Sequence, residues 1–168
     1  MAAWRRAGVA MRLNGIGIVL IVLAGLVAAA APAPAASPGA LCRRVGTSDR
    51  LRPLPPSLTG RAGELFGIEA MPAAQIRRST FLRCMEGHVL LCNTGANLPC
   101  GKANTGRDLP AAEQWCASHP DSEFIPMYVT GHDTVYRWRC SGGKAATVGP
   151  PWPVDQRGFI TRFWKRAD

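Results

Sequence analysis

Five of the six cysteines and all three histidines fall between Thr80 and Cys140. Such a density of ligating and redox-active side chains first suggests metal or thiol chemistry. Spacing argues against both. Cys84, Cys92 and Cys100 stand eight residues apart, whereas structural zinc sites pair ligands two to four residues apart. The chain has no Cys-x-x-Cys, so a thioredoxin-like redox role has no motif. No cofactor is expected. Ser122, His132 and Asp155 are the residue types of a nucleophilic triad, but no Gly-x-Ser-x-Gly elbow presents the serine. His132 and Asp155 are the catalytic candidates, with His132 as general base if the protein is a hydrolase of envelope material. Glu86, Glu113, Glu123 and Asp155 form no evident pair for glycoside hydrolysis.

Binding fits the pattern better. Asn93 to Arg107 is a long connection rich in glycine and asparagine. Such loops often carry function, and their backbone N–H groups can form an anion-binding nest. Asn97, Lys102 and Arg107 are its candidate contacts. Further on, Arg137 and Arg139 alternate with Tyr136 and Trp138, so the cations and the rings should face opposite sides of a strand. That separation weighs against stacking on nucleic acid, and an exported protein seldom meets nucleic acid.

Export is read from the start of the chain. Arg5, Arg6 and Arg12 precede an uncharged apolar run from Gly15 to Ala31, and Ala33-Pro34-Ala35 offers a small-x-small cleavage pattern. Residues 1–35 therefore read as a signal peptide. The protein contacts a membrane only if that segment stays uncleaved. Lipidation of Cys42 is disfavoured by the bulky Leu41 before it. In an oxidising compartment Cys42, Cys84, Cys92, Cys100, Cys116 and Cys140 are expected as disulfides, with connectivity open among fifteen pairings. The whole chain carries +9. Without the three leader arginines it keeps 17 basic against 11 acidic residues, about the charge of a soluble small domain. An anionic envelope polymer or an acidic protein is the corresponding partner.

These residues must be positioned by a small fold. Residues 36–56 read as an Ala/Pro-rich tether that does not pack. From Arg50 to Pro56 they become an extended segment without a ladder of hydrogen bonds. Residues 57–168 read as one disulfide-rich domain. Ser57 is placed as the cap of a helix reaching Phe66, with Leu58, Ala62, Leu65 and Phe66 on one face. Met71-Pro72 breaks that pattern. Ser79–Met85 and His88–Asn93 read as a hairpin about Glu86-Gly87, pairing Cys84 with Val89 and Phe81 with Cys92. In that register Cys84 and Cys92 face opposite sides and bond different neighbours. Asp108 is expected to cap a helix over Leu109–Ser118, with Cys116 turned inward. Phe124–Val129 reads as an edge strand broken by Pro126, Thr134–Cys140 as a half-buried strand, and Phe159–Trp164 as a last short strand.

The phrase Leu82-Arg83-Cys84-Met85-Glu86-Gly87 is echoed by Trp138-Arg139-Cys140-Ser141-Gly142-Gly143, each placing a cysteine just before a turn. The expected fold is α+β: a small disulfide-stabilised antiparallel sheet of two hairpins with one or two short helices, after an N-terminal signal peptide.

Several runs carry a resemblance: Arg83-Cys84-Met85, Gly95-Ala96-Asn97-Leu98-Pro99-Cys100, Val129-Thr130-Gly131-His132 and Val154-Asp155-Gln156-Arg157-Gly158-Phe159. They resemble a set of small exported cysteine-rich proteins of alphaproteobacteria over about half of the chain. The resemblance implies location, periplasmic or secreted, and no activity. Tyr136-Arg137-Trp138-Arg139-Cys140 is similar to strands of small periplasmic lysozyme inhibitors, whose remaining pattern is absent. The sequence thus favours a non-catalytic binding or envelope-associated module, with an envelope hydrolase or a lysozyme-inhibitor-like protein as the alternatives.

Overall fold

A two-residue turn with both residues at positive φ, Glu86 (53°) and Gly87 (81°), reverses the chain at the centre of the larger sheet. This is the type I′ geometry that matches strand twist. It joins β2 (Thr80–Met85) to β3 (His88–Asn93). The register is the expected one, Cys84 opposite Val89 and Phe81 opposite Cys92. Cys84 and Cys92 therefore face opposite sides of the hairpin, and each bonds elsewhere: Cys84 to Cys42, Cys92 to Cys100. The computed structural model describes residues 37–95 and 98–168. The expected signal peptide and Asn97 lie outside the described residues.

The segment before this hairpin is more ordered than its composition suggests. Ser37 accepts the Ala40 N–H at 3.3 Å and Pro38 occupies the first turn of α1 (Pro38–Val45), where its missing N–H does no harm. Arg43 and Arg44 sit at the negative end of its dipole. Cys42, fully buried, staples α1 to β2. The expectation of a stretch without a ladder also fails, because β1 (Ser48–Pro53) pairs antiparallel with β2. Its prolines do not prevent this: β1 is the edge of a sheet ordered β1-β2-β3-β6, and Pro53 ends it. A 3₁₀ turn (Pro56–Leu58) leads into α2 (Thr59–Phe66), with Leu58 rather than Ser57 at the N-cap. The predicted face holds: Ala62 is buried, and Leu58, Leu65 and Phe66 pack beside it. Pro72 both ends one pattern and starts α3 (Ala73–Ser79), a helix the sequence reading missed.

Beyond the Asn93–Arg107 connection, α4 (Pro110–Ser118) begins at Leu109, with no cap from Asp108. Ala112 and Cys116 are buried on its inner face, while His119 stays exposed and stacks on Trp115, ring centroids 3.9 Å apart. The strand expected over Phe124–Val129 is absent. Pro126 instead sits at the N-cap of α5 (Met127–Thr130), a position its fixed φ favours. β4 (Arg137–Ser141) and β5 (Lys144–Val148) form a separate two-stranded sheet, turning on Gly142 and Gly143, both at positive φ. Cys140 lies opposite Ala145 as Cys84 lies opposite Val89, so the repeated phrase marks the same place in two hairpins. The last predicted strand is replaced by a Val154–Ile160 bridge and a 3₁₀ turn (Thr161–Phe163), leaving only β6 (Lys165–Arg166) paired with β3.

The result is the expected α+β class with antiparallel pairing and three disulfides. Buried residues fall into three clusters, and each contains one disulfide: Cys42–Cys84, Cys92–Cys100 and Cys116–Cys140. Clusters this small stabilise weakly by burial alone, and a covalent staple in each compensates. Three disulfides are consistent with an oxidising compartment outside the cytoplasm. No helix among the described residues is long and apolar enough to cross a membrane.

One charge is buried in the second cluster. Arg83, 1 % exposed, extends from β2 between Phe159 and Trp164, its guanidinium carbon 4.2 and 4.6 Å from their ring centroids. Its Nη2 donates to Asp155 Oδ2. The other oxygen of Asp155 accepts the N–H groups of Arg157 (2.8 Å) and Phe159 (3.1 Å). The pair thus locks the 155–159 turn onto the central hairpin.

Candidate functional site

Alternation along β4 sends Trp138 and Cys140 inward and Arg137 and Arg139 outward. Trp138 is fixed by its indole N–H, which donates to Thr134 Oγ1 at 3.1 Å. Tyr136 meets it edge-on at 6.0 Å between centroids, and the Tyr136 hydroxyl donates to the Thr105 carbonyl at 3.3 Å. Trp152 is held by its backbone N–H on the Val135 carbonyl (2.9 Å) and by edge contact with Phe163. The Ser122–Ile125 segment closes the other side. The Ile125 N–H reaches the Trp138 carbonyl (2.9 Å), and the Cys140 N–H reaches the Ser122 carbonyl (2.8 Å).

Between these elements lies a cleft of about 380 Å³, within the size range of small-ligand sites. Phe124, Met127, Tyr136, Trp138, Val148 and Trp152 line it, with Glu123 and Arg137 adding charge. Cys116–Cys140 ties α4 to β4, the strand that supplies Trp138 to the cleft. Beside it Phe124 (66 % exposed) and Tyr128 (75 %) face solvent. Large rings left this open are informative in a small domain.

The surroundings are positive. The Arg107 guanidinium lies 5.0 Å from the Tyr136 centroid, and that of Arg162 lies 4.9 Å from Trp152. Arg137 reaches past Gly149, where an added Cβ would sit 3.0 Å from its Nη2. Arg137, Arg139 and Lys144 are exposed on the outer face of β4–β5, and among the described residues none of them forms a salt bridge. The arrangement can hold an anion that carries a flat or apolar group. Cation–π pairing keeps two guanidinium groups beside the rings of the cleft, although Arg107 Nε also donates to the Tyr136 hydroxyl at 3.2 Å.

The residues anticipated from sequence divide between this region and elsewhere. Arg137 lines the cleft, Arg107 lies over the ring of Tyr136, and Arg139 shares the outer face with Arg137. Lys102 is committed to Asp49 at 2.8 Å, and Arg157 grips the same carboxylate at 2.8 and 2.9 Å. Hydrogen bonds from Arg157 and Lys102 hold the Asp49 carboxyl well below the usual carboxylate range, outweighing the small effect of burial. His132 is exposed between α5 and Thr134. The Ser122 hydroxyl donates to the Phe124 carbonyl at 2.7 Å, and both Asp155 oxygens are engaged as described. No hydrogen bond links Ser122, His132 and Asp155. Among the described residues no group of three or more His, Cys, Asp or Glu gathers as a metal site would require.

Phe124, Met127 and Trp152 were missed as site residues. Alternation alone puts Phe124 in a strand, and no periodicity singles out Trp152. Their only sequence signal is that three large apolar residues flank prolines, Pro126, Pro151 and Pro153. No family model matches the chain, and no curated protein or solved structure matches it either. Its function must be read from the cleft and the charges around it.

Proposed function

We propose that the protein is an exported, non-catalytic binding module, periplasmic or secreted, that holds an anionic ligand in the Phe124–Trp152 cleft. One observation carries this reading: an aromatic cleft against a disulfide-tied strand, with arginines beside its rings. Such sites combine apolar burial with a few charged groups that orient the ligand. The ligand class is an anionic envelope polymer or an acidic protein, each able to present negative charge beside a flat or apolar unit. The Arg83–Asp155 pair, by contrast, is buried between the central hairpin and the 155–159 turn and supports structure rather than binding.

The test uses anilinonaphthalene sulfonate, a flat aromatic anion, as probe on the intact oxidised protein. Saturable fluorescence enhancement is expected. Phe124→Ala and Arg137→Glu should each weaken it about two- to tenfold, the scale of one lost ring contact or ion contact. Equal affinity in wild type and both variants would remove the cleft from the reading. Turnover of cell-wall or ester substrates that His132→Ala abolishes would overturn its non-catalytic part.

A further inference from the structure

The β4 edge of the β4–β5 ribbon is covered by the Ser122–Ile125 segment, whereas the β5 edge is covered by α4 at Ala145 and open at Thr147. On β4, Trp138 and Cys140 turn their backbone groups away from β5 and spend them on Ile125 and Ser122. Their cross-strand partners are Thr147 and Ala145. In antiparallel pairing, residues opposite such positions also point N–H and C=O away from the partner strand. The edge groups of β5 are therefore those of Ala145 and Thr147. The Ala145 N–H is taken by the exposed Glu113 side chain, Oε2 at 3.3 Å. Thr147 has no backbone partner on that side among the described residues, and the sheet has no third strand.

Stable proteins usually blunt such an edge with proline, a bulge or an inward charge. Lys144-Ala145-Ala146-Thr147-Val148 has no proline, and its only charge is at the turn end. The outer face beside it is positive: Lys144 lies on β5, and Arg139 and Arg137 stand opposite Ala146 and Val148. Val148 also lines the aromatic cleft. A backbone edge free at Thr147, an unpaired basic face shared with β4 and an apolar cleft thus adjoin one another on this ribbon.

We propose that the edge of β5 accepts an extended acidic segment of a partner polypeptide as a third strand. Main-chain groups of the segment pair with Thr147. They pair with Ala145 once the Glu113 carboxylate swings aside. Acidic side chains on one face meet Lys144, Arg139 and Arg137, while an aromatic residue at the end near Val148 enters the cleft. Strand addition divides the work this way, backbone bonds giving affinity and side chains giving specificity. A polysaccharide lacks the alternating N–H and C=O groups, so the edge selects polypeptide over glycan. The proposal rests on the binding-module reading and names its partner class.

The probe is an end-capped peptide alternating Asp or Glu with Val and carrying one Tyr, added to the intact disulfide-bonded protein. Amide exchange at Thr147 should slow about tenfold at saturation. Thr147→Pro removes only an outward N–H and should abolish peptide binding while sulfonate-dye binding persists. The exposed Glu113→Ala should tighten peptide binding several-fold, and Arg139→Glu should weaken it about fivefold or more. These two surface variants keep the test decisive if the proline variant folds poorly. Unchanged peptide binding in Thr147→Pro, or equal binding of a Lys/Val peptide, would overturn strand addition. So would an anionic polysaccharide that binds as tightly as the peptide and ignores Thr147→Pro. If the dye binds but the peptide does not, only this proposal falls. If neither binds, the cleft reading falls with it.

Discussion

Asp155→Asn isolates the buried ion pair with little change of shape. Arg83 is 1 % exposed and Asp155 is 13 % exposed at the side chain. The Asn oxygen can still accept the N–H groups of Arg157 and Phe159, so the turn keeps its own bonds. What is lost is the counter-charge, and an amide NH₂ now faces the Arg83 donors. Breaking a buried pair from one side costs about 3–5 kcal/mol, because the other charge stays desolvated. Arg83 Nε has no partner even in the wild type, and Nη1 reaches only the weak acceptor Met85 Sδ at 3.9 Å, so the rest of the guanidinium does little to absorb the loss. Against a typical stability of about 5–15 kcal/mol this is a large shift. Arg83→Met should cost less. It gives up two cation–π contacts, about 0.5–2 kcal/mol each, and regains part through sulfur–ring contacts with Phe159 and Trp164. Asp155 lies near enough to solvent to remain hydrated. The double variant Arg83→Met/Asp155→Asn should therefore be more stable than Asp155→Asn alone. Urea unfolding with the disulfides intact, followed by tryptophan fluorescence, measures all four proteins, and Trp164 reports directly on the site. An Asp155→Asn protein within about 1 kcal/mol of wild type would refute the reasoning. A double variant less stable than Asp155→Asn would refute it equally.

Two further outcomes are expected. The sequence separations of 42, 24 and 8 residues rank the disulfides in the chain-entropy picture. Replacing both cysteines by Ser should cost about 4 kcal/mol at Cys42–Cys84, about 3.5 at Cys116–Cys140 and about 2.5 at Cys92–Cys100, read from urea midpoints; a reversed order would show that packing rather than loop closure dominates. Asp49 titrates below its usual 3.8 in the folded protein, so its clasp with Arg157 and Lys102 contributes fully above that value and fades as pH falls through the lower folded value. The stability gap between wild type and Asp49→Asn should thus be constant near neutrality and close in acid, and a gap that does not change with pH would deny the clasp any role.

The two hairpins were legible because their signals are local. Strand alternation and a two-residue turn together fix a register, and the register alone places Cys84 and Cys92 on opposite faces. The inward turn of Cys116 followed from helical spacing in the same way. Where one residue fits two roles, the sequence misled. Pro126 breaks a strand and also starts a helix, and only contact of the preceding segment with β4 decides between them. Cys42 was expected to pair, but the helix and edge strand around it were not legible, because nothing nearby shows that its partner is the cysteine 42 residues away. Asp155 resembled a catalytic acid for a similar reason, since its partner Arg83 is 72 residues distant. Of the cleft only Arg137 stood out. It is assembled from residues 123–130, 134–138 and 148–152, which no single periodicity connects.

The pairing of the cysteines also bears on how the molecule is made. Numbered along the chain, each odd cysteine is bonded to the next even one: first to second, third to fourth, fifth to sixth. No covalent loop encloses the end of another. Under oxidising conditions the native pairing therefore joins each odd-numbered cysteine to the one that follows it. Each loop can close before the next pair appears, and the route contains no obligatory mispaired intermediate for an isomerase to undo. The Cys92–Cys100 cluster nevertheless stays unfilled until residues 159–164 arrive, so its covalent loop can close before its packing is complete.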